Sequence, residues 1–237
     1  KALLSTVKTD KVDARLSTLY GEKMNPRPFK VQGEAILRLR QKRTVIRQLT
    51  RQITAMSNLR GSLACLPVPD KGATHTVDET IKFLEKKRDR LQAELTDLVE
   101  VEFSRQLALL TTIKGIGITL ATALILTTGG FTYFQNAKQV SRYLGICPTY
   151  EQSGTSVNIR GHINRNGDAY TRGLLYIAAW PASRFNAQCK ETYTRLRQNG
   201  KSGKLAMIAV ANKLVRQAFA VVAHDKEYVD GFVSNRP

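Results

Sequence analysis

Ser153 stands beside Gly154 in a polar stretch, residues 144–172, that also carries Arg160, Arg165 and Arg172 but only two acids, Glu151 and Asp168. A serine hydroxyl becomes a useful nucleophile toward phosphorus when cations fix the phosphate and stabilise the charge that builds on its oxygens. Such an attack leaves a phosphoserine linkage, which conserves bond energy and permits strand exchange without an external energy source. The same Ser-Gly pair also suits an ordinary turn. No G-x-S-x-G elbow or Ser-His-Asp order accompanies it, so acyl chemistry has little support.

Two further groups could serve such chemistry. Asp10 and Asp13, three residues apart on a helix, share a face and could hold a hard cation such as Mg²⁺; helix-start acids show the same pattern. Lys114-Gly115-Ile116-Gly117 joins two apolar segments, as in a helix-hairpin-helix-like phosphate grip, in which glycines admit a close backbone approach. A glycine cap between two core helices would read alike. Lys201 and Lys204 lie in a basic, glycine-punctuated turn spanning residues 195–204.

The elements that must position these residues read as mainly α. Residues 1–23 suggest a short helix closed by Gly21, and Pro26 and Pro28 mark a boundary after it. From Glu34 to Leu63 the apolar positions Leu39, Ile46 and Ile53 recur every seven residues, with Leu49 and Met56 in a second seam. Pro67, Pro69 and Gly72 break the chain, and Thr76 or Asp78 caps a second helix with its rhythm at Leu84, Leu91 and Leu98 and with Ile81 and Leu95 offset. Together they predict a long antiparallel coiled-coil helical hairpin able to pair with a second protomer. Past Phe103 the pattern is a compact set of helices, with no convincing strand.

The chain has 237 residues, 42% of them hydrophobic, enough to build a core. Its 37 Lys and Arg against 19 Asp and Glu give a net charge of +18, which points to a polyanionic partner. Nucleic acid fits better than membrane, since the sequence shows no uninterrupted apolar run of spanning length and no signal-peptide pattern. Cys65, Cys147 and Cys189 are scattered and odd in number, which suits a reducing compartment and argues against a disulfide framework or zinc site. The first residues, Lys1-Ala2-Leu3-Leu4, enter a helix-like pattern without an initiator Met, as a fragment would.

Several segments in order resemble the DEDD transposases of insertion-sequence family 110, which include pilin-gene-inverting recombinases. Residues 8–15 are similar to that family's K-T-D-x-x-D-A-R segment, and Ile113-Lys114-Gly115-Ile116-Gly117 to its I-P-G-I-G segment, with Lys114 in place of proline. Residues 144–148, Ser153-Gly154 and residues 160–168 resemble its L-G-x-x-P, S-G and G-x-I-x-K/R-x-G block.

The resemblance implies a DNA transposase or site-specific recombinase. Ser153 would be its nucleophile, and Asp10 and Asp13 the last two of four acidic Mg²⁺ ligands, the first two being absent from this chain. It also implies DNA as substrate, a structured guide RNA in some members, and a homo-oligomer, dimer or tetramer, whose active site joins the acids of one protomer to the serine of another. Lys114, Gly115, Gly117, Arg160, Arg165, Arg172, Lys201 and Lys204 are the candidate nucleic-acid contacts. The implied domains are residues 1–30, the end of an α/β RuvC-like domain; residues 31–104, the dimerising hairpin; and residues 105–237, the transposase domain. The expected location is the prokaryotic cytoplasm, at the nucleoid. Two other readings remain, a non-catalytic nucleic-acid-binding module and a nuclease acting with metal alone.

Overall fold

The computed structural model describes residues 9–26, 33–147, 151–153, 157–159, 163 and 167–231. It divides into two units, residues 1–33 and residues 34–237. In the first, α1 (Asp10–Met24) starts at Thr9, whose hydroxyl accepts from the Val12 N–H at 3.4 Å, and ends at Asn25 in the left-handed region. The helix runs through Gly21 rather than stopping there, because one exposed glycine costs a helix only about 1 kcal/mol.

The second unit is built on two long helices, α2 (Glu34–Ala64) and α3 (Lys71–Glu102), packed along each other. Ion pairs Lys42–Glu94 and Arg60–Asp78 fix an antiparallel register, since advancing along one helix means retreating along the other. Leu39, Ile46 and Ile53 are buried on α2, as their sevenfold spacing predicts. On α3 the buried positions are Val77, Ile81, Leu95 and Val99, whereas Leu98 is 38% exposed. The α3 helix also begins earlier than Thr76 or Asp78: Asp70 caps it, its carboxylate accepting from the Ala73 N–H at 2.6 Å, and Gly72 lies within the first turn.

The two ends of this pair differ. Ile53, Val77 and Ile81 form a small cluster near the α2–α3 turn, while Leu39, Ile46, Leu95 and Val99 join the main core. That core is centred on α5 (Ile118–Thr128), whose residues from Leu120 to Thr128 are all buried, as expected for a helix apolar on every side. Around it lie α4 (Ser104–Thr111), α6 (Ala137–Tyr143), α7 (Ala169–Phe185), α8 (Ala187–Gln198) and α9 (Gly203–Ala223). Small residues let α7 and α9 approach closely: Ala179, Ala182, Ala206 and Ala218 are all fully buried.

Among the described residues α9 is the one helix long and apolar enough to cross a membrane. Its Val210, Leu214 and Ala218 are instead buried in the protein core. The α8 helix takes up residues that the sequence reading assigned to a basic turn, because Asn186 restarts the helix by accepting from the Cys189 N–H; the turn shrinks to residues 199–202.

The fold is mainly α, as expected, but the reading of no strand needs one correction. Glu151–Ser153 (β1) and Val157–Ile159 (β2) pair antiparallel, with Ser153 opposite Val157. Strands of three residues are too short to show alternation in a sequence.

Candidate active-site loop

The polar loop is anchored at both ends by one residue. Arg172, in the first turn of α7, donates through Nη1 to the carbonyl of Gly167 and, at 3.4 Å, to that of Leu144, tying the loop's exit to its entrance. The approach is close enough to require glycine: a Cβ on Gly167 would lie 2.4 Å from the Leu144 carbonyl carbon and 2.5 Å from the Tyr143 carbonyl oxygen. The β1–β2 pair, and with it the backbone of Ser153, thus belongs to a loop whose ends are closed on the core. Arg160 and Arg165 lie outside the described residues.

Asp168 is the second fixed point. Its carboxylate caps α7, accepting from the Thr171 hydroxyl at 2.7 Å and the Thr171 N–H at 3.3 Å. It also meets two guanidiniums of α2, Arg47 at 3.0 Å and Arg43 at 3.6 Å. Burial pushes the Asp168 carboxyl up, but the Thr171 hydrogen bonds and the two arginines outweigh it and leave the group below the ordinary carboxylate value. Arg43 is itself lowered, first by burial and then by the neighbouring charges of Arg47 and Arg40, with Asp168 opposing.

The same helix holds α5. Arg40 donates to the carbonyls of Leu126 and Thr127, each at 2.8 Å, and Arg43 to the Thr127 hydroxyl at 2.7 Å. These are last-turn carbonyls without helical partners, so a cation there satisfies acceptors and complements the helix dipole. Thr127 and Thr171 share a buried hydroxyl contact of 2.9 Å, which closes the network. Arg40, Arg43 and Arg47 were missed in the sequence, although their spacing of three and four residues places them on one face of α2.

The Gly-Ile-Gly turn joins α4 to α5. Gly115 takes φ +106°, and a Cβ there would lie 2.7 Å from that of Ala182, so the turn packs directly on α7. Gly117 caps α5 with no atom near a would-be Cβ. The Lys114 ammonium pairs with Asp230 at 2.8 Å. Lys201 and Lys204 are exposed at the α8–α9 turn, where Arg197 donates to the Lys201 carbonyl. Asp10 and Asp13 are both exposed in the first turn of α1. Their oxygens are hard donors suited to Mg²⁺, but among the described residues no third His, Cys, Asp or Glu clusters with them. They therefore fit part of a Mg²⁺ site rather than a whole one.

Residues 107–194, from α4 into α8, match the model of the transposase IS116/IS110/IS902 family. The matched stretch encloses the Gly-Ile-Gly turn, β1–β2 and both loop anchors. The chain is 29% identical over 240 residues to the pilin gene-inverting protein of Moraxella bovis, covering 96% of this chain and 70% of that protein. It is 27% identical over 137 residues to an insertion element IS110 protein of Streptomyces coelicolor, covering 58% and 33% of the two chains. A probable family 20 transposase of Pseudomonas aeruginosa is 25% identical over 171 residues, covering 71% and 50%.

Proposed function

We propose that this protein is a DNA recombinase that cleaves and rejoins mobile-element DNA through Ser153. The observation that carries the reading is the coincidence of the transposase-family match with a polar loop closed by Arg172 and bearing Ser153 in a short hairpin. The Ser153 oxygen attacks a backbone phosphorus, forming an Oγ–P bond as the bond from phosphorus to the 3′-oxygen breaks. The serine proton is lost and the departing 3′-oxygen takes one up, leaving a 3′-hydroxyl and a 5′-phosphoserine. Attack by another strand's 3′-hydroxyl reverses the step and restores the serine. Lys114, Gly115, Gly117, Arg160, Arg165, Arg172, Lys201 and Lys204 are assigned to the nucleic acid, and the net charge of +18 supports this.

Asp10 and Asp13 are the residues of this chain that would hold Mg²⁺, as part of a larger set of acidic ligands. When bound, the ion supplies charge stabilisation at the phosphate. The α2–α3 pair, in residues 31–104, acts as a coiled-coil contact between protomers; exposed Val45, Leu59 and Phe83 along it support this. Residues 1–30 close a RuvC-like domain, residues 105–237 are the transposase domain, and a structured guide RNA selects the DNA. The protein works in the prokaryotic cytoplasm, on nucleoid DNA.

The test is denaturing electrophoresis of the intact protein with labelled element-end DNA, Mg²⁺ and co-purifying RNA. A protease-sensitive DNA adduct is expected from the native chain and none from Ser153→Ala, whose DNA affinity stays within about twofold, since one neutral hydroxyl adds little to phosphate binding. An adduct persisting in Ser153→Ala would sink the assignment. Free 5′-phosphates from both proteins would favour metal-only hydrolysis instead.

A further inference from the structure

Beside the loop's exit lies an open cavity of about 500 Å³, lined among others by Arg40, Arg43 and Thr44 of α2, Arg142 and Tyr143 of α6, and Asp168. Among the described residues three guanidiniums face it against a single lining carboxylate, which already caps α7 and pairs with Arg43 and Arg47. Arg43 has a side chain only 16% exposed, so its charge is held at the wall by structure rather than by solvent. Arg40 uses Nε and one Nη on the α5 carbonyls, leaving its other Nη free of protein acceptors among the described residues. Arg142 forms no ion pair or side-chain hydrogen bond among the described residues, and it sits in the last turn of α6.

Like charges gathered with too few counter-charges are stabilised by an anion. Arginine forks favour phosphate because two N–H donors match two of its oxygens. Size narrows the choice further. A lone phosphate would leave most of about 500 Å³ empty, whereas that volume lies within the range of small-molecule sites. The half-exposed ring of Tyr143, steadied by Phe134 at 5.3 Å between centroids, offers a surface for a sugar or base.

We propose that this cavity is a nucleotide subsite for the DNA strand handled by the Ser153 loop, with one backbone phosphate held among Arg142, Arg43 and Arg40 and its nucleoside against Tyr143. The identity of the polymer rests on the proposed recombinase function; the phosphate chemistry rests on the cavity alone. Gly167 and Asp168 place the cavity wall and the loop's exit on the same residues, so a strand seated here is registered against the loop.

The experiment is equilibrium binding of fluorescent single-stranded, duplex and RNA oligonucleotides to the full chain without Mg²⁺, over about 50 to 200 mM salt. Arg142→Gln should unfold at the native temperature and bind its preferred strand about tenfold more weakly. Its salt slope should fall by about 0.7 on single strands or about 0.9 on duplex DNA, one phosphate contact's worth. Arg142→Lys, which keeps the charge, should restore the slope. Inorganic phosphate should compete with the oligonucleotide on the native chain and less well on Arg142→Gln.

A folded Arg142→Gln protein with unchanged affinity and slope overturns the subsite. So does a loss confined to RNA, which would assign the cavity to a different polymer. Because binding is read without cleavage, a lowered slope on DNA with no covalent adduct upholds the subsite and refutes the recombinase chemistry. The opposite pair of results does the reverse.

Discussion

Replacing Asp168 tests the joint on which the loop and α2 both depend. Its carboxylate makes the α7 cap and meets Arg43 and Arg47, and its side chain is 14% exposed beside an Arg43 that is 16% exposed. Loss of a helix cap costs about 1 kcal/mol. Leaving a buried guanidinium without its carboxylate costs about 3 to 5 kcal/mol in a fully buried pair. Arg47, at 32% exposed, and the residual water access of Arg43 bring that below the full value. Asp168→Asn keeps an acceptor for the cap and removes the charge, so about 2 to 3 kcal/mol is expected.

In a chain of this size each kcal/mol lowers the melting temperature by about 2 to 4 °C, so thermal unfolding should move down by about 4 to 12 °C. Combined with Arg43→Gln, the losses should fall short of additive by about 1 kcal/mol or more. The effect should also depend on pH. Since the Asp168 carboxyl titrates below its ordinary value when folded, its contribution is complete above about pH 4 and disappears as pH falls through the folded value. The gap between native and Asp168→Asn proteins should therefore narrow in acid. A drop under about 2 °C at neutral pH, with strictly additive double-variant losses, would refute the reasoning.

Two other changes test neighbouring parts. Gly167→Ala forces a Cβ to within 2.4 Å of backbone that has no side-chain freedom to yield, so the loop ends must separate; protease cleavage within residues 145–166 should rise severalfold, and an unchanged rate would discount the closure by Arg172. The Cys189 thiol is buried and pushed up to about 12 by that burial, while Cys65 is exposed. A thiol-reactive reagent at neutral pH should label Cys65 within minutes and Cys189 only on unfolding; rapid labelling of Cys189 in the native protein would show that the α8–α9 packing is looser than described.

The long helices were the most legible part of the sequence, because Leu39, Ile46 and Ile53 face one neighbour throughout and so keep one period. The α3 helix was read less well because its neighbour changes along its length. Near its end it enters the main core, which buries Val99 completely and leaves Leu98 outside. Its start was hidden by residues 71–76, which lack apolar rhythm and depend on the Asp70 cap. Ser153 and its basic surroundings stood out by composition. The partners that fix that loop did not: Asp168 meets Arg47 across 121 residues of chain, and a stripe of arginines on one helix shows a face but not what faces it. The pairing of Lys114 with Asp230 was hidden for the same reason, since 116 residues separate them.

The central claim, that the Ser153 oxygen carries the DNA during exchange, is tested most directly by mapping the covalent intermediate. The intact protein is reacted with element-end DNA and Mg²⁺, stopped in denaturant, digested with nuclease and protease, and the modified peptide is sequenced by mass spectrometry. The account predicts a 5′-nucleotide phosphate on Ser153, with the released strand ending in a free 3′-hydroxyl. A nucleotide on Thr155 or Ser156, or cleaved DNA with 5′-phosphate ends and no modified peptide, would contradict it.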